Sequence, residues 1–166
     1  HAVAFAETGH LCLATLHANS ANQALDRIIN FFPEERRAQL LMDLSLNLRG
    51  LVSQRLIPRE SGSGRIAAME IMLNSPLIQD LIFKGEVAKI KEVMARSTRI
   101  GMKTFDQALF ELYETGHVSY EDALRNADSK NELRLKIKLE SKRENKNIDD
   151  GGGALRIVEE EQGRVI

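Results

Sequence analysis

At 166 residues the chain has the length of about one domain, and its 43% apolar and 28% charged residues make a globular composition rather than a disordered or fibrous one. No apolar run approaches the roughly 18 residues that a membrane-crossing helix needs, and a formal charge of -1 supplies no bulk pull toward nucleic acid or acidic lipid. The single cysteine, Cys12, excludes a disulfide framework and a four-cysteine zinc site. With no signal-peptide pattern at the start, the expected compartment is the reducing cytoplasm. The chain opens on His1 rather than Met, and residues 2–7 read as the end of a helix already under way, so a piece of a longer protein is expected.

Thr8 and Gly9 close that opening helix, glycine standing where a left-handed turn is needed. Residues 11–16 follow as a nearly all-apolar run of strand length, bracketed by His10 and His17. Such a run reads as a strand buried on both faces, with a short buried helix as the rival. Ser20 and Gln23 have capping-box spacing, and Ala21, Ala24, Leu25, Ile28 and Ile29 repeat at helical intervals. Pro33 is expected to open the next helix, with Glu34 and Glu35 in its first turn and Ala38, Leu41, Leu44 and Leu48 on one stripe. Two extended runs, 54–59 and 65–73, flank the Gly/Ser-rich residues 61–64 and predict a hairpin; Pro58 places its strand at an edge or a bulge.

From residue 75 the pattern is helical. Ser75 and Pro76 start a short helix that Gly85 ends. A second is expected over about 87–98, a third from a Thr104/Gln107 capping box to Gly116, and a fourth from Ser119 and Asp122. Residues 133–139 alternate with a strict period of two. That favours a strand, which 154–158 could pair with, although the Leu, Arg and Lys content suits a helix. Residues 142–153 read as a flexible connector, and the acidic end beyond 147 as poorly ordered.

The densest cluster of chemical groups surrounds the apolar run. An extended chain would separate His10 from His17 by roughly 23 Å, too far for one metal ion. In open α/β sheets, ligands bind beyond the carboxyl ends of the strands, which selects His17, Thr15 and Asn19. The N–H groups of a helix starting near Ser20 would favour an anion there. The plainer alternative is two ordinary histidines making local hydrogen bonds, with His10 ordering a turn. Arg27, Arg49 and Arg55 are candidates to reach a phosphate across a subunit boundary, or else surface ion-pair partners. Glu70, polar within an apolar strand, could face water or neutralise an arginine. Cys12 reads as inert packing. The basic stretch 130–146 lacks interleaved aromatics and reads as a solvated face, so no nucleic-acid partner is expected.

Several collinear motifs point further. Ala6-Glu-Thr-Gly-His-Leu-Cys-Leu-Ala-Thr-Leu-His-Ala-Asn-Ser-Ala21 resembles the His box of secretion and pilus motor ATPases. Asp26-Arg-Ile-Ile-Asn-Phe-Phe-Pro-Glu-Glu35, Leu48-Arg-Gly-Leu-Val-Ser-Gln-Arg-Leu56, Ile100-Gly-Met-Lys-Thr-Phe-Asp-Gln-Ala-Leu109 and Tyr120-Glu-Asp-Ala-Leu124 are similar to segments of the PilT/PilU family of type IV pilus retraction ATPases. In Pro76-Leu-Ile-Gln-Asp-Leu-Ile-Phe-Lys84, Gln79 and Phe83 replace the two arginines of the PilT-type motif, which resembles the PilU branch.

The resemblance implies an α/β fold: the C-terminal part of a RecA-like ATPase core with an incomplete sheet (1–74), a small helical bundle (75–131) and a C-terminal extension (132–166). It implies ATP and Mg2+ bound mainly by segments absent from this chain, since no GxxxxGK[ST] occurs in it. It also implies a homo-hexamer working with a PilT-type partner ATPase and an inner-membrane pilus platform protein. That machine would sit in the cytoplasm, peripheral to the inner membrane at the pilus base, and drive pilus disassembly and twitching motility. In this scheme His17 senses the γ-phosphate, His10 shares the nucleotide site, and no zinc is bound. The chain alone is expected to be inactive. The alternative is a non-enzymatic helical module docking on a partner motor ATPase. A pilus-extension or secretion ATPase fits less well, because relatives there often carry a four-cysteine zinc element.

Overall fold

The computed structural model describes residues 1–143. Along them run α1 (Ala2–Glu7), α2 (Ala21–Asn30), α3 (Glu34–Asn47), β1 (Gly50–Pro58), β2 (Arg65–Leu73), α4 (Pro76–Phe83), α5 (Ile90–Arg96), α6 (Phe105–Glu114), α7 (Tyr120–Asn126) and α8 (Lys130–Glu140). Short 3-10 turns at Val87–Lys89 and Thr98–Ile100 bracket α5, so the single helix expected over 87–98 is broken at both ends.

Helix starts follow their capping residues. Ser20, Ser75 and Ser119 each accept a hydrogen bond from the third helical N–H, and Thr104 with Gln107 closes a reciprocal capping box. At α2 the box is displaced: Gln23 Oε1 takes the N–H of Asn19, at 2.6 Å, instead of that of Ser20. Pro33 is the N-cap of α3 rather than its first residue. The buried stripe of α3 is Leu40 and Leu44 with Leu41 and Leu48 beside it, and Ala38 is exposed. The far end of α3 is closed from outside, where Asn74 Nδ2 donates to the carbonyls of Ser45 and Leu48 at 2.9 and 2.7 Å.

β1 and β2 pair antiparallel from Gly50 with Leu73 to Pro58 with Arg65, so β1 starts four residues before the extended run that the sequence pattern indicates. A Cβ at Gly50 would stand 2.8 Å from the Met72 carbonyl oxygen, so the start of the ladder requires glycine. Backbone bonds between Ile71 and Lys103, at 2.8 and 2.9 Å, attach the chain leading into α6 to the other edge of β2.

One face of this hairpin touches two separate cores. The first gathers Ala21, Leu25, Leu40, Leu44, Met72, Ile78, Leu81, Ile82, Ile90, Met94 and Met102. The second gathers Ile57, Ala68, Phe105, Leu109, Tyr113, Val118, Ala123, Leu133 and Ile137. α4 and α5 share the core of α2 and α3. Arg143 ties the last described turn to the hairpin tip. It donates to both carboxylate oxygens of Glu60 at 3.1 and 3.0 Å and to the Tyr113 carbonyl at 2.6 Å.

Two segments differ from the sequence-based expectation among the described residues. Residues 11–16 form neither strand nor helix, and Leu11 and Leu13 are 82% and 90% exposed. A buried strand needs a ladder partner and covered faces, and the two strands among the described residues pair with each other. Residues 133–139 lie in α8, not in a strand. Leu133 and Ile137, four apart, bury one helical face in the second core, while Leu135 and Leu139 face out. The suggested pairing with 154–158, and the connector and tail beyond 143, lie outside the described residues.

The helical face makes a directional prediction. Ile137→Ala should cost about 3 kcal/mol of stability in urea unfolding, from lost burial and a residual cavity. Leu135→Ala should change it by under about 0.5 kcal/mol. Equal costs at both positions would contradict the helix.

Candidate functional site

The hairpin's inner face carries, in order along the ladder, Leu51 opposite Met72, Ser53 opposite Glu70, Arg55 opposite Ala68 and Ile57 opposite Ile66. The ends of this row enter the two cores. Its middle places Glu70 and Arg55 at the seam between them, where the segment following His17 crosses the hairpin. Alternation of side chains in a strand puts both charged groups inward.

Glu70 is 2% exposed, and its Oε1 accepts the backbone N–H of Ala21 at 2.7 Å. Ser20 Oγ takes the N–H of Gln23 at 3.2 Å. The anion at the start of α2 is therefore the protein's own carboxylate, and the N–H groups of Ala21 and Gln23, expected to be open to a phosphate, are already bonded. A negative charge is favourable at that position because the helix dipole presents its positive end there.

Arg55 makes a fourfold contact. Its Nη1 donates to the Asn126 carbonyl at 2.8 Å, and its Nη2 lies 2.7 Å from Asp128 Oδ1 and 3.3 Å from the Asn19 carbonyl. The guanidinium carbon stacks 3.9 Å from the centre of the Phe105 ring. Asp128 also receives Lys91 Nζ at 2.6 Å. Asp106 accepts the N–H groups of Asp128 and Ser129 at 2.8 and 3.1 Å, which fixes the turn that leads into α8. A hydrogen bond to a charged group contributes about 2 kcal/mol, so the cluster is a strong local tie across four elements.

Environment separates the three acids. Burial pushes Glu70 above the usual carboxylate range, against the Ala21 N–H, and the neighbouring charge of Asp128 adds to the rise. Burial likewise raises Asp106, against its two backbone N–H bonds. At Asp128 burial also opposes the charged form, but the hydrogen bonds from Lys91 and Arg55 outweigh it and hold the group below the usual range.

Among the described residues, the side chains of the remaining sequence-predicted residues make no hydrogen bond or ion pair with this cluster. His17 and Thr15 are exposed, as is Asn19 apart from its bonded backbone. His10 orders the turn after α1, its Nδ1 2.9 Å from Thr8 Oγ1 and its ring edge-to-face with Phe5. Arg27 and Arg49 are exposed. Arg55 is no free arm, because its donors are turned inward. Asp106, Asp128 and Lys91 were not singled out from the sequence; they meet only through folding. Glu70 and Arg55 did carry a signal, sharing strand parity with Met72 and Ile57.

The described residues form an α/β arrangement of one antiparallel hairpin and the helices packed on it. The family described as Type II/IV secretion system protein matches residues 1–144, and the chain belongs to it. It is 64% identical over 141 residues to the type IV pilus ATPase PilU of Pseudomonas aeruginosa, covering 85% of this chain and 37% of that protein. The type IV pilus retraction ATPase PilT of the same organism is 40% identical over 126 residues, covering 76% and 36%. A crystal structure of the pilus retraction motor PilT with bound ADP superposes with a TM-score of 0.71 at 34% identity, covering 81% of this chain and 37% of that one. The chain thus spans little more than a third of the length of these relatives. The resemblance to the PilT/PilU family read from the motifs is borne out, as is the α/β reading of part of a RecA-like core plus helices.

The acids predict a two-sided pH response. Glu70 and Asp106 bind protons more readily folded than unfolded, so stability should rise as pH falls through their raised values toward the ordinary carboxylate range. Below that range the unfolded chain binds more protons, and stability should fall as pH drops through the depressed value of Asp128. Melting temperature followed against pH should show both limbs; Asp128→Asn should flatten the acid one and, by removing a charge that helps raise Glu70 and Asp106, shrink the other. An unchanged acid limb in that variant would contradict the assignment.

Proposed function

We propose that this chain forms part of a motor ATPase of the PilU kind, which couples ATP hydrolysis to retraction of type IV pili and so to twitching motility. The observation that carries this reading is the 64% identity to PilU across 85% of the chain. The substitution of Gln79 and Phe83 within α4 supports the PilU branch rather than the PilT one.

In this reading residues 11–16 complete a sheet whose other strands come from segments outside this sequence. That supplies the ladder partner and cover that the exposed leucines lack. Those segments also hold the nucleotide, because no GxxxxGK[ST] occurs here. Among the described residues no three His, Cys, Asp or Glu side chains are disposed to hold a metal ion. Mg2+ would be held with the nucleotide by those other segments, and no step assigned to the residues here runs through it.

His17 is the γ-phosphate sensor, with Thr15 and Asn19 beside the nucleotide and His10 ordering the near turn. Loss of the γ-phosphate removes negative charge beside the imidazole, and the segment relaxes. Asn19 to Ala21 pass that movement to α2 and the hairpin. Arg27 and Arg49, exposed on α2 and before β1, face a neighbouring subunit in a ring of six. The machine works at the cytoplasmic side of the inner membrane with a PilT-type ATPase and a platform protein. Its parts here are the core section 1–74, the helices 75–131 and the extension 132–166.

Two outcomes test this. Residues 1–166 alone should release no phosphate from ATP above a buffer blank, because positioning of the triphosphate is left to other segments. Steady release that survives further purification would overturn it. In the full-length protein, His17→Ala should abolish twitching while the circular-dichroism spectrum stays unchanged; normal motility in that variant would remove His17 from the mechanism.

A further inference from the structure

We infer that Arg55 is a positioning residue, whose single guanidinium couples the His17-bearing segment to the junction between α7 and α8. This deepens the motor reading and rests on it for the role of His17. Asn19 is two residues beyond His17, and its carbonyl is held by Arg55 Nη2. Ala21, two further on, is held from the other side by Glu70. Both anchors stand on the hairpin's inner face. They take hold just where residues 11–16, which have no ladder partner among the described residues, lead into α2.

The far side of the same guanidinium is equally committed. It binds the Asn126 carbonyl at the end of α7 and Asp128 before α8, and it stacks on Phe105 at the start of α6. Asp128 in turn holds Lys91 of α5. A displacement of Asn19 therefore either breaks its bond to Arg55 or tilts the guanidinium, which carries Asn126 and Asp128 with it.

The planar fork is what permits this. Arginine presents five donors in fixed directions, whereas a lysine ammonium is a compact point charge on a flexible stem. Lysine at this position can still neutralise Asp128, but it cannot span the Asn19 and Asn126 carbonyls together or stack flat on Phe105. Arg55→Lys thus separates charge from coupling. Lys91→Ala is the matched control, since it takes a cation from Asp128 without touching the His17 segment.

The test uses the full-length protein in three forms: unaltered, Arg55→Lys and Lys91→Ala. In Arg55→Lys, amide hydrogens of residues 17–23 should exchange about tenfold faster while those of β2 keep their rate. Its kcat for ATP should fall about tenfold with KM nearly unchanged, because misplacing the sensing group impairs turnover rather than nucleotide capture. Lys91→Ala should lower the melting temperature but leave both readouts alone. Unchanged exchange at residues 17–23 in Arg55→Lys overturns the anchor, whatever the ATPase activity. Faster exchange with unchanged kcat overturns the positioning role, as does a Lys91→Ala variant that loses kcat to the same extent. No hydrolysis by the unaltered protein sinks the motor reading and the kinetic half of the inference, while the exchange measurement still decides the mechanical half.

Discussion

Two charged side chains inside a β-hairpin hold this structure in register. Glu70 and Arg55 occupy the middle of a face whose two ends are buried in different hydrophobic cores. Ionised groups are costly to bury unless each finds partners, and here the partners come from elements far apart in sequence: the start of α2, the end of α7 and the residues before α8. The requirement to satisfy these charges specifies how the two cores meet. Apolar packing alone would tolerate a slip between them, since hydrophobic contact has no direction.

The same residues explain why the helix start behind His17 is an internal joint. A helix N-terminus attracts an anion, and Glu70 fills that role from within the chain. The exposed His17 lies two residues before the Asn19 carbonyl that Arg55 holds and four before the Ala21 N–H that Glu70 accepts. Its neighbours on the opposite side, the leucines of residues 11–16, are clothed in apolar surface that nothing among the described residues covers. A stretch so apolar and so exposed belongs against other structure, and it lies within the residues that the family matches.

Local chemistry was read well wherever a few adjacent residues decide the outcome. The serine caps of α2, α4 and α7, the box at Thr104 and the hairpin around residues 61–64 depend on neighbours in sequence, and each formed. Residues 133–139 went the other way because a period of two and a period of four can coexist in one short apolar-basic run. Leu133 and Ile137 satisfy both, and the choice fell to the second core, which offered a groove for a helical face and no strand edge. The lesson of residues 11–16 is similar. A strand's identity lies in its partner, so a strand pattern without a ladder is left unstructured.

From its own order of residues, the chain determined the helix caps, the turn glycines, the hairpin and the motifs that mark the family, since each is a short-range or directly legible property. Tertiary structure alone decided that Arg55 turns inward, that Glu70 caps α2, and that Asp106, Asp128 and Lys91 join them. Those groups lie up to tens of positions apart, and nothing short of the folded chain brings their charges within a few ångströms of one another.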